Sequence, residues 1–164
     1  MRSKNNKIKP QTLRLGLWVQ MTQEAFDEAN YAGMYSTREF RIEGFADGSS
    51  REGSTLICHY TIPTNDGYNG KIHSGAYDVD LEGIILTEEW LKKVGFHCNE
   101  ECKYWIDGTW ELVFLKDGSL WQVRGHSELD GSTWFLKKIR YVHEFQNIYY
   151  EINEFDPFDK DEIN

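Results

Sequence analysis

His97, Cys98 and Cys102 are the residues that most directly suggest chemistry, because imidazole and thiolate are the ligands of tetrahedral zinc. The step from Cys98 to Cys102 is wider than the two-residue spacing such sites favour. A complete set would have to borrow from Cys58, His59, His73 or His126, and none of these sits in a paired motif. Asn99-Glu100-Glu101 read as loop, so the expectation here is two reduced thiols on a loop, with no metal and no cofactor. A cysteine nucleophile would need a histidine met in space, and no surrounding signature supports one. With 27 acidic residues, carboxylate pairs for glycoside chemistry can be drawn in many ways and carry no information. Glycines 67, 70, 75 and 83 are scattered and lead into no Lys-Ser or Lys-Thr, which speaks against a phosphate-cradling hydrolase or kinase. No catalytic residue is assigned, and the balance is against an enzyme.

Arginine binds phosphate through two parallel hydrogen bonds, and Arg14, Arg38, Arg41, Arg124 and Arg140 fall in or beside segments that also carry aromatics. Trp18 falls opposite the Leu13-Leu15-Leu17 face and is the aromatic expected to point outward. Gln146 and Asn147 form an amide pair that suits base or ribose recognition, or equally an ordinary cap. His143 reads as a ligand contact or as a helix-boundary histidine bonded to backbone. Arg124 has a structural alternative as well, a cross-strand pair with Glu111. The candidate ligand-binding set is therefore Trp18, Arg14, Arg124, Arg140, His143 and Gln146. An aromatic wall with one or two arginines could hold a small nucleotide by stacking and charge without any catalytic group.

Those side chains need a scaffold, and 164 residues suffice for a domain with a real core. The formal net charge of −9 argues against direct nucleic-acid binding, which needs a basic surface. It leaves room for a nucleic-acid mimic or for docking on a basic partner. Charge is uneven along the chain: Arg2, Lys4, Lys7 and Lys9 crowd the start, and the end is strongly acidic. The expected organisation is a basic tail over 1–10, one α+β domain over 11–155, and an acidic tail over 156–164. No apolar run is long enough to span a membrane, and no leader-like segment is evident. Three cysteines without scaffold spacing fit a reducing compartment, the cytoplasm by default.

Period-two alternation predicts a half-buried strand over 13–19, and further strands over 38–45 and 55–62. A short helix capped by Thr22 follows the first strand. Thr87, with Glu88 and Glu89 after it and Gly95 at the far end, marks the start and stop of a second helix whose packing face is Trp90, Leu91 and Val94. Asp107-Gly108, Asp117-Gly118 and Asp130-Gly131 each read as a two-residue reversal. Counted outward from the second, Leu115 faces Leu120, Phe114 faces Trp121, Leu112 faces Val123 and Glu111 faces Arg124. Trp105, Trp110, Leu112, Phe114, Trp121 and Val123 then share one face of an antiparallel meander. Val142, Phe145, Tyr149 and Ile152 form one stripe of a closing helix. The fold class expected is α+β: a curled antiparallel sheet, as a meander or small barrel, covered by one or two short helices.

Three segments carry a resemblance. Leu13-Arg14-Leu15-Gly16-Leu17-Trp18-Val19, Ile85-Leu86-Thr87-Glu88-Glu89-Trp90-Leu91 and the run from Tyr141 to Tyr150 are similar to a family of small uncharacterised proteins carried by phages and prophage-like elements. The likeness covers about 11–20 and 81–155, and this chain departs from it by an insertion over about 22–76 and by its acidic tail. The family carries no assigned activity. Taken with the absence of an assembled reactive group and the aromatic and arginine-bearing segments, the leading expectation is a non-catalytic accessory protein of a phage or mobile element that acts by binding. It would be a sponge for a host nucleotide immune signal, with a pocket that a homo-oligomer could form between subunits. The alternatives are an acidic decoy of a host defence protein, a small enzyme that cleaves such a signal, or a virion component.

Overall fold

The computed structural model describes residues 8–30, 33–63, 71–98, 103–105, 111–127, 129 and 131–159. Antiparallel sheet and short helices make the protein α+β, as the periodicities predict, and among the described residues the sheets are open rather than closed into a barrel. The chain divides into two compact units, Met1–Ile84 and Ile85–Asn164. No helix among the described residues is long and apolar enough to cross a membrane.

The first unit holds two three-stranded sheets. In one, β1 (Trp18–Met21) lies between β2 (Glu39–Arg41) and β6 (Leu81–Glu82); in the other, β4 (Leu56–Pro63) lies between β3 (Gly44–Asp47) and β5 (Lys71–Tyr77). The strand expected over 13–19 begins only at Trp18. A one-turn 3-10 helix occupies Pro10–Thr12, and Gly16, at φ +82°, turns the chain before the ladder starts. The alternation holds only in part: Leu17 and Val19 are buried, as is Met21 beyond them, but Leu15 is exposed and Leu13 half-buried because the ladder has not yet begun there; Trp18 lies on the opposite face, half-buried.

The strand expected over 38–45 is two strands. Arg41 pairs with Trp18 and Gly44 with His59, so the chain changes sheets at 42–43. Ile42 still donates to Leu17 O, while the next amide, Glu43, donates to His59 O. Phe40 and Tyr60, one from each sheet, stack with ring centroids 4.0 Å apart over Met21, Ile62 and Leu81. Helix α1 (Gln23–Ala29) is capped as predicted, Thr22 Oγ1 accepting from the Ala25 amide at 3.3 Å.

A 3-10 turn, Asp78–Asp80, links β5 to β6. Its Asp78 carboxylate is buried and accepts from the Ser54 hydroxyl and from the Thr55 amide and hydroxyl, which ties the loop after β3 to β5. Burial pushes that acid up, but these hydrogen bonds outweigh it and hold its pKa below the ordinary value.

In the second unit the sheet runs β7 (His97–Cys98), β8 (Lys103–Trp105), β9 (Glu111–Asp117), β10 (Leu120–His126) and β11 (Thr133–Ile139), each strand beside its sequence neighbour. This is the expected meander. The 107–108 turn, Trp110 and Asp130 lie outside the described residues. The central hairpin is real, but its register differs from the count made from Asp117-Gly118. Asp117 pairs with Leu120, Phe114 with Val123 and Glu111 with His126. The two loop residues are Gly118 and Ser119. Gly118 alone takes a left-handed φ of +60°, so glycine occupies the first central position of the turn, where a type II′ reversal requires it. The correction moves every partner by two residues and therefore leaves the faces unchanged. Phe114, Trp121 and Val123 are buried together as predicted. Val113, on the other face, is buried too.

Helix α2 (Glu88–Lys93) starts at Thr87, but the Thr87 side chain makes no cap bond. Its end is built as expected. Gly95, at φ +90°, donates to Lys92 O and Phe96 donates to Leu91 O, which is the Schellman pattern. Trp90 and Leu91 are buried and Val94 half-buried. Helix α3 (Val142–Asn153) buries the predicted Val142, Phe145 and Tyr149, with Ile152 half-buried. Glu144 reaches back to accept from the Arg140 and Tyr141 amides at 2.8 and 3.1 Å, satisfying donors at the helix start. Phe96, Phe114 and Phe145 meet edge to face with centroids 5.1 to 5.7 Å apart and join α3 to the sheet.

Candidate functional site

A cleft of about 550 Å³ opens in the second unit between the chain leading into α2, the β9–β10 hairpin and Arg140. Two backbone groups of Leu86 set its shape: the amide donates to Arg140 O at 2.8 Å, and the carbonyl accepts from the Trp121 indole at 2.9 Å. Trp121 therefore spends its only donor on scaffold. The Arg140 backbone is held on its other side by Glu144, and its guanidinium Nη2 donates to Ser119 Oγ in the hairpin turn at 2.8 Å. That partner is a neutral hydroxyl, and among the described residues the Arg140 guanidinium makes no ion pair with a carboxylate.

Lys116 faces Trp121 across the hairpin and sends its ammonium to 3.8 Å from Glu88 Oε1. Glu89 is held below the ordinary carboxylate range, first by a hydrogen bond from Thr87 and then by its own backbone amide, with Lys92 and Lys116 contributing. One wall is therefore cationic and hydroxylic, and the other carries two carboxylates. Such a cleft suits a ligand with an anionic group and hydrogen-bond donors together.

Of the candidates read from sequence, Arg140 lines this cleft. Arg124 lies in β10, half-buried; its partners across the sheet are Val113 and Phe135, not Glu111, and Nη2 donates to Gln122 Oε1 at 3.1 Å. Its Nε is buried with no partner among the described residues. His143 and Gln146 point into the packing of α3. His143 is 6 % exposed, stacks on the Tyr141 ring at 5.5 Å, and leaves Nδ1 without a partner among the described residues. Gln146 is fully buried and donates to both oxygens of Asp156. Asn147 is half-buried.

Trp18 and Arg14 belong to the first unit. Arg14 donates to Leu15 O at 3.2 Å, and Trp18 is half-buried opposite Arg41. Arg38 is ion-paired to Glu82 at 3.0 Å and Arg41 donates to Gly16 O at 2.8 Å, both structural uses. Cys98 is exposed in β7, and Cys102 with the 99–101 loop lies outside the described residues. Among the described residues no group of three or more His, Cys, Asp or Glu is placed to hold a metal.

Sequence reasoning missed Lys116, Ser119, Thr87, Glu88 and Glu89 as cleft residues. The available signal was local: a reversal and a helix start, each exposing polar groups, with only tertiary structure bringing them together. Comparison with family models, with curated proteins and with solved structures finds no match to the chain.

Proposed function

We propose that the protein is a non-catalytic binding protein that takes a small phosphate-bearing, nucleotide-like ligand in the cleft around Arg140. In this reading it is an accessory protein of a phage or mobile element that sequesters a host nucleotide signal in the cytoplasm. The observation that carries the reading is the Arg140 guanidinium, oriented by a neutral hydroxyl beside Lys116 in a volume within the roughly 300–1,000 Å³ of small-molecule sites. An arginine positioned in this way can take an oxyanion with two parallel hydrogen bonds. Glu88 and Glu89 would accept from ribose hydroxyls or base amino groups. The resemblance of segments 13–19, 85–91 and 141–150 to phage-carried proteins supports the cellular role.

The test is a thermal-shift screen against cyclic nucleotides and ADP-ribose-type ligands, with inorganic phosphate alongside. Ligand at a hundred times its Kd raises stability by about 2.7 kcal/mol, which is read directly as a higher Tm. Arg140→Ala should weaken binding at least tenfold, and Arg140→Lys should not restore it, because a lysine lacks the planar fork. Ligand recovered intact after heat denaturation supports sequestration, whereas altered product identifies an enzyme. No shift with any nucleotide, or an equal shift in Arg140→Ala, removes the reading.

A further inference from the structure

A second trough, about 490 Å³, lies in the first unit and is lined by Glu43, His59, Tyr60, His73, Ser74 and Gly75. Thr61 Oγ1 donates to Glu43 Oε2 at 2.7 Å, and His73 Nδ1 lies 2.7 Å from the same hydroxyl. A hydroxyl carries one proton, and an ionised carboxylate can only accept. With that proton given to Glu43, the Thr61 oxygen must accept from His73, so Nδ1 carries a hydrogen and, in the neutral ring, Nε2 carries the lone pair. The His73 side chain is 81 % exposed, which leaves Nε2 open to a ligand. Metal-ligating histidines are held in this way, the far nitrogen donating to an oxygen that fixes the tautomer and raises basicity.

The second imidazole is His59. His59 pairs with Gly75 and Thr61 with His73, so the two histidines are diagonal neighbours on one sheet face. Diagonal positions sit roughly 7–8 Å apart, within reach of long side chains. On its other side His59 pairs with Gly44, so a glycine flanks it on both neighbouring strands. A Cβ at Gly75 would stand 3.5 Å from His59 Nδ1, and one at Gly44 3.8 Å from Cδ2. The ring thus turns its Nδ1 edge toward β5, the strand that carries His73, and neither flanking residue has a side chain, although the Ile57 methyl crowds the position over Gly75. Among the described residues no lysine or arginine lines the trough.

We propose that His73 and His59 together bind one divalent transition-metal ion, with Glu43 acting through Thr61 as a positioning group and water or a small ligand filling the remaining positions. Two neutral imidazoles prefer Cu²⁺ and Ni²⁺ and then Zn²⁺, and do not suit Mg²⁺ or Ca²⁺. The site lies in the first unit and does not depend on the Arg140 cleft.

The experiment titrates the full chain with Ni²⁺ or Cu²⁺ while the histidine ring signals are followed by proton–nitrogen NMR. The His59 and His73 rings should broaden together, at up to one ion per chain, before those of His97, His126 and His143. Thr61→Val keeps both imidazoles and removes the relay; it should lower affinity about 10- to 100-fold, the usual effect of losing such an orienting contact. Glu43→Gln provides a second variant with the same expected direction, and His73→Ala should abolish paired broadening. Broadening that begins at His97, or wild-type affinity in a folded Thr61→Val or Glu43→Gln, overturns the assignment.

Discussion

Gln146 donates from one amide nitrogen to both carboxylate oxygens of Asp156, at 3.2 and 3.0 Å, and both residues are buried. A helix residue read as a base-recognising amide is thereby committed to anchoring the segment that follows its own helix. The Phe158 amide also donates to Asp156, and the Phe158 ring packs edge-on against Trp90 and Phe145. Gln146→Ala leaves a buried carboxylate short of a charge-assisted partner and should cost about 1.5–3 kcal/mol. Urea unfolding measures it, and a change below about 0.5 kcal/mol would show that the pair contributes nothing net.

His143 makes stability depend on pH. Burial is the main cause that brings its pKa down from 6.5 to about 4; Glu144 opposes the shift and Lys137 adds to it. A depressed histidine pKa means that the unfolded chain takes up the proton first, so stability should fall as pH drops from about 6.5 toward 4 and then level off. The loss is on the order of 3 kcal/mol. His143→Phe preserves the stacking on Tyr141 and should flatten this slope. An unchanged slope in that variant would assign the acid sensitivity elsewhere.

Gly118 offers a test of the hairpin register. A Cβ built there meets nothing within 4 Å, so Gly118→Ala carries only the conformational cost of φ +60°, about 1 kcal/mol. Gly118→Asn should recover part of that, since asparagine tolerates the left-handed region. Were Asp117 the first loop residue instead, Asp117→Gly would stabilise the hairpin; the observed register predicts that it does not.

Trp134 lies over Gly125. A Cβ at position 125 would sit 2.4–2.7 Å from the Trp134 ring. Gly125→Ala should therefore cost about 1–3 kcal/mol by overpacking, and much less in a Trp134→Ala background. A double-mutant cycle reads the coupling directly, and additive effects would place the ring elsewhere.

The cysteines should differ sharply in reactivity. Burial, with help from Asp78, pushes the Cys58 thiol up to about 12, whereas Cys98 is exposed. A thiol reagent at pH 8 should label Cys98 in the native state and reach Cys58 only on unfolding. Peptide mapping after a short pulse distinguishes them, and early labelling of Cys58 would contradict its burial.

What could be read from the chain alone was whatever depends on near neighbours. The alternation at Leu17 and Val19, the helix stop at Gly95, the stripe through Val142, Phe145 and Tyr149, and the shared face of Phe114, Trp121 and Val123 all follow from fixed backbone periods and capping chemistry. Together they determined the α+β class. Tertiary structure decided the rest. The shift of the hairpin by two residues, the change of sheet at 42–43, and β5, whose residues carry no clear alternation, depend on which distant strand supplies the partner. The same holds for function: Arg140 meets Ser119, and His73 meets Glu43 through Thr61, across strand pairings that no local pattern specifies. Side-chain facing is a local property of the backbone, whereas register and adjacency are set by the free energy of the whole packed unit.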